Sequence, residues 1–159
     1  MAALPSLPAD RIDLADGVEE VSLSAYNKPL PELSGLHGEF YEFCRTGELR
    51  FQRCDGCGSW RHVPRELCAE CGSWDWSWQA STGRGKVFSW TVVDRALHPD
   101  FAESVPYAAV IVEMDEGVRL LSQVLDVDPN QLEIDLPVEV VFDPVTDEVT
   151  LPRFRRASL

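Results

Sequence analysis

Hydrophobic and polar positions change their rhythm twice along this chain. Residues 1–33 show no sustained apolar period, and Pro5, Pro8, Pro29 and Pro31 break any helix. That stretch reads as an N-terminal extension, either a tail or an arm that orders against a partner with Leu30 and Leu33 as anchors. A helical period follows: Leu36, Phe40, Phe43 and Cys44 fall at i, i+4, i+7 and i+8. The spacing predicts a short helix from Gly35 to Thr46, with Ser34 as its cap and Gly47 as its stop. Cys44 lies on the apolar face and is expected as a buried core thiol.

From Glu48 to Arg53 the pattern alternates as in a strand and delivers the chain to Cys54. A cysteine-rich segment then runs to about Trp78. Beyond Ala80 the chain turns to β: Lys86–Arg95, Tyr107–Asp115, Val118–Asp126, Val138–Asp143 and Glu148–Phe154 are rich in Val, Leu, Ile and aromatics. Gly83-Arg84-Gly85, Asp115-Glu116-Gly117 and Asp143-Pro144 punctuate these runs. Such a series of five short strands suits a small barrel of the OB type, with a small sandwich as the competing architecture. The predicted organisation is therefore an extension at 1–33, a helix and metal ribbon at 34–79, and an OB-fold domain at 80–159.

Composition narrows the functional classes. With 45% hydrophobic and 26% charged residues, the sequence reads as a globular protein. No apolar run approaches the roughly 20 residues that span a bilayer, and the start lacks the pattern of a secretion signal. A cytoplasmic protein with no membrane partner is expected. The formal charge is -13, which disfavours general nucleic-acid binding because phosphate backbones are repelled at long range.

The five cysteines include two tight pairs, Cys54-x2-Cys57 and Cys68-x2-Cys71, separated by ten residues. Cysteines three apart on a tight turn can place both sulfurs on one ion, and Gly58 and Gly72 permit the positive φ that such a turn requires. Two knuckles of this kind close a tetrahedron around structural zinc and leave no position open for Lewis-acid or water-activating chemistry. Iron in a rubredoxin-type site uses the same donor set. Arg53, Arg61, His62 and Arg65 surround the knuckles, where they offset the charge of the metal–thiolate centre or form a phosphate-binding patch.

Other candidate chemistry is sparse. The histidines are His37, His62 and His98, and no nucleophile–base pair, phosphate loop or dinucleotide fingerprint is present. Trp74, Trp76 and Trp78 alternate and are expected on one face of an extended segment, packing ribbon against barrel or stacking a planar ligand. The 96–106 loop offers Phe101 as a contact residue, and Arg153, Arg155 and Arg156 gather positive charge near the end.

These motifs occur in a familiar order. The run Arg45-Thr-Gly-Glu-Leu-Arg-Phe-Gln-Arg-Cys-Asp-Gly-Cys-Gly leads to Cys68-Ala-Glu-Cys-Gly-Ser and then to Ala80-Ser-Thr-Gly-Arg-Gly-Lys-Val-Phe-Ser-Trp. Val105-Pro-Tyr, an Asp-Glu-Gly turn and a closing Leu-Pro-Arg-Phe follow. Over about residues 30–156 the chain resembles the acyl-CoA-associated zinc-ribbon/OB-fold proteins catalogued as a domain of unknown function. The resemblance implies a rubredoxin-like zinc ribbon on Cys54, Cys57, Cys68 and Cys71, followed by a five-stranded OB barrel. It implies a small partner of thiolase-like enzymes, including the lipid-transfer-protein type, that make or cleave carbon–carbon bonds on CoA thioesters. Catalytic residues are then expected on the thiolase-like subunit of a hetero-oligomer, with acyl-CoA as a ligand. Arg84, Lys86, Arg153 and Arg155 transfer as CoA or partner contacts. The sequence shows no hydratase segment, so the stand-alone form is expected over the fused one. A single-strand nucleic-acid module built on the same two folds is the alternative, with aromatics as stacking platforms.

Overall fold

A computed structural model describes residues 26–158. Of the N-terminal extension, residues 1–25 lie outside the described residues. The chain enters across the barrel, where Lys28 Nζ sits 5.3 Å from the centre of the Phe101 ring. Leu30 and Leu33 are exposed.

Helix α1 spans Gly35–Arg45 and buries Phe40 and Cys44, as its period requires. Ser34 occupies the cap position without capping through its side chain. Its hydroxyl instead donates to Glu32 Oε1 at 2.7 Å. At the other end Gly47 adopts φ 80°, and its N–H reaches Cys44 O at 3.1 Å. Cys44 is fully buried, and burial pushes its thiol up to about 12, so it is an inert part of the core.

Three strands form the ribbon sheet: β1 (Arg50–Cys54), β2 (Trp60–Arg61) and β3 (Trp76–Ala80), in the order β2-β1-β3. The other five form the barrel sheet: β4 (Arg84–Val93), β5 (Tyr107–Met114), β6 (Arg119–Ser122), β7 (Pro137–Pro144) and β8 (Thr150–Arg156). All neighbours are antiparallel and the order is β6-β5-β4-β7-β8. Strand β5 alternates without a fault, burying Ala108, Val110, Val112 and Met114. A register shift between Val87 and Ser89 lets the long β4 pair with β7 at one end while following β5 along its length. The sheet curls until β6 approaches β8. Phe154 N–H donates to Gln123 O at 2.9 Å, and Leu125 N–H donates to Phe154 O at 2.8 Å. Val87, Val110, Val112, Val138 and Phe154 are fully buried at the centre.

The mainly β architecture matches the expectation from sequence, with shifted boundaries. The strand expected over Val118–Asp126 stops at Ser122, whose hydroxyl donates to Pro152 O at 2.6 Å. From there the chain crosses to β8, so the apolar Val124 serves the closure and not the β5 ladder. Trp74 lies before β3 and is 69% exposed, so it does not share the face of Trp76 and Trp78. Those two meet edge to face at 5.7 Å, and Trp78 packs on Phe43 of α1 while its Nε1–H donates to Glu39 Oε2 at 2.7 Å.

Candidate metal centre

The two cysteine pairs fold as near copies. In the first, Cys54 N–H donates to Ser59 O and Gly58 N–H returns to Cys54 O, at 2.9 and 2.8 Å. In the second, Cys68 N–H donates to Ser73 O and Gly72 N–H to Cys68 O, both at 2.9 Å. Gly58 and Gly72 take φ 76° and 73°, a region that a side chain would disfavour. The four sulfurs lie within 4.8 Å of one another. Cys54 and Cys71 Sγ are 3.6 Å apart, and Cys57 and Cys68 Sγ 3.7 Å. Tetrahedral zinc with bonds of about 2.3 Å needs sulfur–sulfur edges of about 3.8 Å, so the donor set fits the ion. Zinc held there would complete its shell with protein sulfur and tie the two knuckles together. Cys54 and Cys68 are buried; Cys57 and Cys71 face outward.

Ser59 is a member of this centre that the cysteine spacing did not reveal. Its hydroxyl lies 3.1 Å from Cys57 Sγ and 3.5 Å from Cys68 Sγ. That contact is the main reason why the Cys57 thiol is lowered, and with the backbone of Cys71 and Glu70 it draws Cys68 down to about 5. Ser73 N–H acts on Cys71 in the same direction, but crowding by the Cys57 and Cys54 sulfurs prevails and holds Cys71 up at about 12. Four sulfurs this close cannot all ionise without a cation among them. A serine directly after a knuckle glycine was the available signal.

The basic residues around the knuckles separate into different jobs. Arg53 donates to Gly58 O at 3.2 Å and stacks on Trp60. Arg61 donates through Nε to Gln52 Oε1 at 2.8 Å and lies over Trp76. Arg65 uses its backbone N–H on the same Gln52 oxygen, at 2.7 Å, while its side chain is exposed. His62 departs from the expectation of a cation offsetting the centre. Its ring packs against Phe40 at 5.0 Å and Phe51 at 5.4 Å, and burial drives it down to about 4, with the charge of His37 adding to the effect. It is a neutral ring in an aromatic seam.

Of the four residues expected as ligand or partner contacts, Arg84 and Arg155 come together across the sheet. Glu139 is paired with Arg84 on β4 and with Arg155 on β8, and it accepts from Arg155 at 2.8 Å. Lys86 bonds to Asp135 at 2.7 Å. Arg153 stands apart from these, donating to Gln123 Oε1 and leaning to Asp143 Oδ2 at 3.5 Å. The glycines of Gly83-Arg84-Gly85 serve packing. A Cβ on Gly83 would meet Val140 at 2.7 Å, and one on Gly85 would meet Glu113 O at 2.5 Å.

Two family models match the chain in sequence order. Residues 42–76 match the ChsH2 rubredoxin-like zinc ribbon domain, and residues 78–143 the ChsH2 C-terminal OB-fold domain. The chain belongs to the ChsH2/DUF35 family. A chain of a structure described as the Ltp2-ChsH2(DUF35) aldolase superposes with a TM-score of 0.73 at 34% identity, covering 81% of this chain and 100% of that one. A probable enoyl-CoA hydratase alpha subunit from Thermomonospora curvata is 35% identical over 130 residues, covering 82% of this chain. The chain spans 40% of the length of that relative. The benzoylsuccinyl-CoA thiolase subunit BbsA of Geobacter metallireducens is 25% identical over 130 residues, covering 80% of this chain and 86% of that protein.

Proposed function

We propose that this ChsH2/DUF35 chain is the accessory subunit of a thiolase-like, lipid-transfer-protein-type enzyme. That enzyme cleaves or forms carbon–carbon bonds on acyl-CoA thioesters, as a thiolase or an aldolase. The observation that carries the reading is the likeness to a chain of a structure described as the Ltp2-ChsH2(DUF35) aldolase, which spans all of that chain. The thiolase subunit BbsA, matched over most of its length, points to the same reaction class. In this reading the chain stabilises its partner and contributes to holding the CoA thioester, while the partner carries the reacting groups.

The chemistry of the chain is consistent with that division. Zinc bound by four thiolates has no open coordination position, so its part is to hold the ribbon. His62, half-buried where His37 and His98 are exposed, is neutral and packed between rings. The extension at 1–33, the ribbon unit at 34–79 and the barrel unit at 80–159 are the proposed functional divisions. Paired free thiols around a metal suit a reducing cytoplasm. Among the described residues no helix is long and apolar enough to cross a membrane.

Affinity purification of the tagged chain from its native cells, with mass spectrometry of what accompanies it, tests the proposal. Recovery of a thiolase-like protein near one-to-one is the expected result. Recovery of the chain alone, or with nuclease-sensitive nucleic acid, overturns it.

A further inference from the structure

Two adjoining clefts run along the side of the barrel where β6 faces β8. One, of about 510 Å³, lies between the N-terminal helix, the ribbon and these strands. The other, of about 260 Å³, continues from it beneath the 96–106 loop and the entering chain. They share Leu121, Ser122, Leu151 and Arg153, so they form one trough. The larger cleft alone is of a size that encloses a small organic ligand.

Charge is what distinguishes the trough. The chain holds 27 acidic residues against 14 Lys and Arg, yet no Asp or Glu lines either cleft among the described residues. The lining includes Arg119 and His37 at the ribbon end, Arg153 in the middle and Lys28 at the far end. Arg119 and Arg153 are steadied by Glu113 at 3.1 Å and Asp143 at 3.5 Å, carboxylates that do not line the trough. Between the cations the surface is apolar: Phe40, Leu121, Leu151 and Pro152. Leu121 is 70% exposed on an edge strand, an unfavourable placement unless something covers it. Tyr41, held protonated by burial, and the neutral His62 add hydrogen-bonding groups without charge.

The geometry points to this trough as the place where the chain itself holds an organic anion with an apolar body, of the acyl-thioester class. The inference rests on the proposed function for the identity of that anion. It also moves the expected contacts: Arg153 belongs to the site, whereas Arg84, Lys86 and Arg155 line neither cleft. The apolar floor takes the body of the ligand, and Arg119, Arg153 and Lys28, spread along the trough, favour its negative charge.

The test uses the zinc-loaded full chain and octanoyl-CoA, titrated by calorimetry and by methyl NMR of leucines. Saturable binding with shifts centred on Leu121 and Leu151 is expected. Leu121→Glu, at a position exposed enough to keep the fold, is expected to weaken binding about tenfold or more by placing a carboxylate among the ligand's charges. Arg153→Gln is expected to weaken it by a smaller factor, and Ile134→Glu, on an exposed site away from the trough, to leave it within about twofold. Absence of saturable binding, an unchanged affinity in Leu121→Glu, or shifts centred on the Arg84–Lys86 face would each overturn the assignment. Co-purification with a thiolase-like enzyme is read separately, so a lost trough and a lost partner are told apart.

Discussion

The ribbon and the barrel are both small antiparallel sheets, yet they are held by different means. The ribbon's β2 is two residues long, and its outer knuckles leave Cys57 and Cys71 exposed. What joins its distant parts is the four-sulfur centre, with Arg53, Arg61 and Ser59 bonded around it. The barrel interleaves valines with Phe154 in an apolar core. A short sheet cannot bury enough apolar surface to offset its conformational entropy, so it borrows a metal; a closed sheet can. Helix α1 belongs to both, setting Phe43 against Trp78 on one side and packing on β8 on the other.

Metal removal is the strongest way to separate the two. Structural zinc in such ribbons carries an apparent binding energy of about 10–16 kcal/mol at neutral pH. Chelation is therefore expected to abolish amide protection across β1–β3 while Val87, Val110 and Val112 stay protected. Equal loss in both regions, seen by hydrogen exchange, would mean that the barrel also depends on the metal. The converse experiment is Phe154→Ala, expected to cost about 3–5 kcal/mol of barrel stability. Zinc content should remain at one ion per chain under conditions where the barrel has melted.

A third comparison uses acid. His62 titrates near 4 when folded and near 6.5 when unfolded, so the unfolded chain takes up the proton first. The stability tied to its neutral ring is complete above about pH 6.5 and is lost as pH falls toward 4. Between pH 7 and pH 5 that amounts to about 2 kcal/mol. Urea midpoints should therefore fall less with acid in His62→Phe than in the parent, the difference cancelling the acid response of the thiolates. The smallest effect is expected at Lys86→Ala. Its pair with Asp135 is exposed and screened by solvent, so thermal melting should scarcely move.

Local features were legible in the sequence, and those made by distant segments were not. The cysteine spacing carried the ribbon because each knuckle closes within six residues, from Cys54 to Ser59 and from Cys68 to Ser73. The helix followed from Leu36, Phe40, Phe43 and Cys44, since a 3.6-residue period is a local property. The end of β6 was misplaced because Val124 is apolar for the sake of Phe154, 30 residues onward. His62 was placed beside the metal by its neighbours in sequence, whereas its contacts are Phe40 and Phe51. The trough is not legible in the sequence for the same reason: it draws on α1, the ribbon, β6 and β8, and none of those stretches is unusual by itself.

The indole rings are distributed unevenly between the two sheets. Trp60, Trp74, Trp76 and Trp78 all belong to the ribbon segment, and Trp90 alone lies in the barrel. Arg53 and Arg61 rest on two of the ribbon rings, and Trp76 and Trp78 touch. Ultraviolet emission from this protein is thus mostly a signal from its metal-dependent half. A fluorescence melt would follow the ribbon coming apart and stay nearly blind to the barrel, while the far-ultraviolet dichroism of the eight strands would register both.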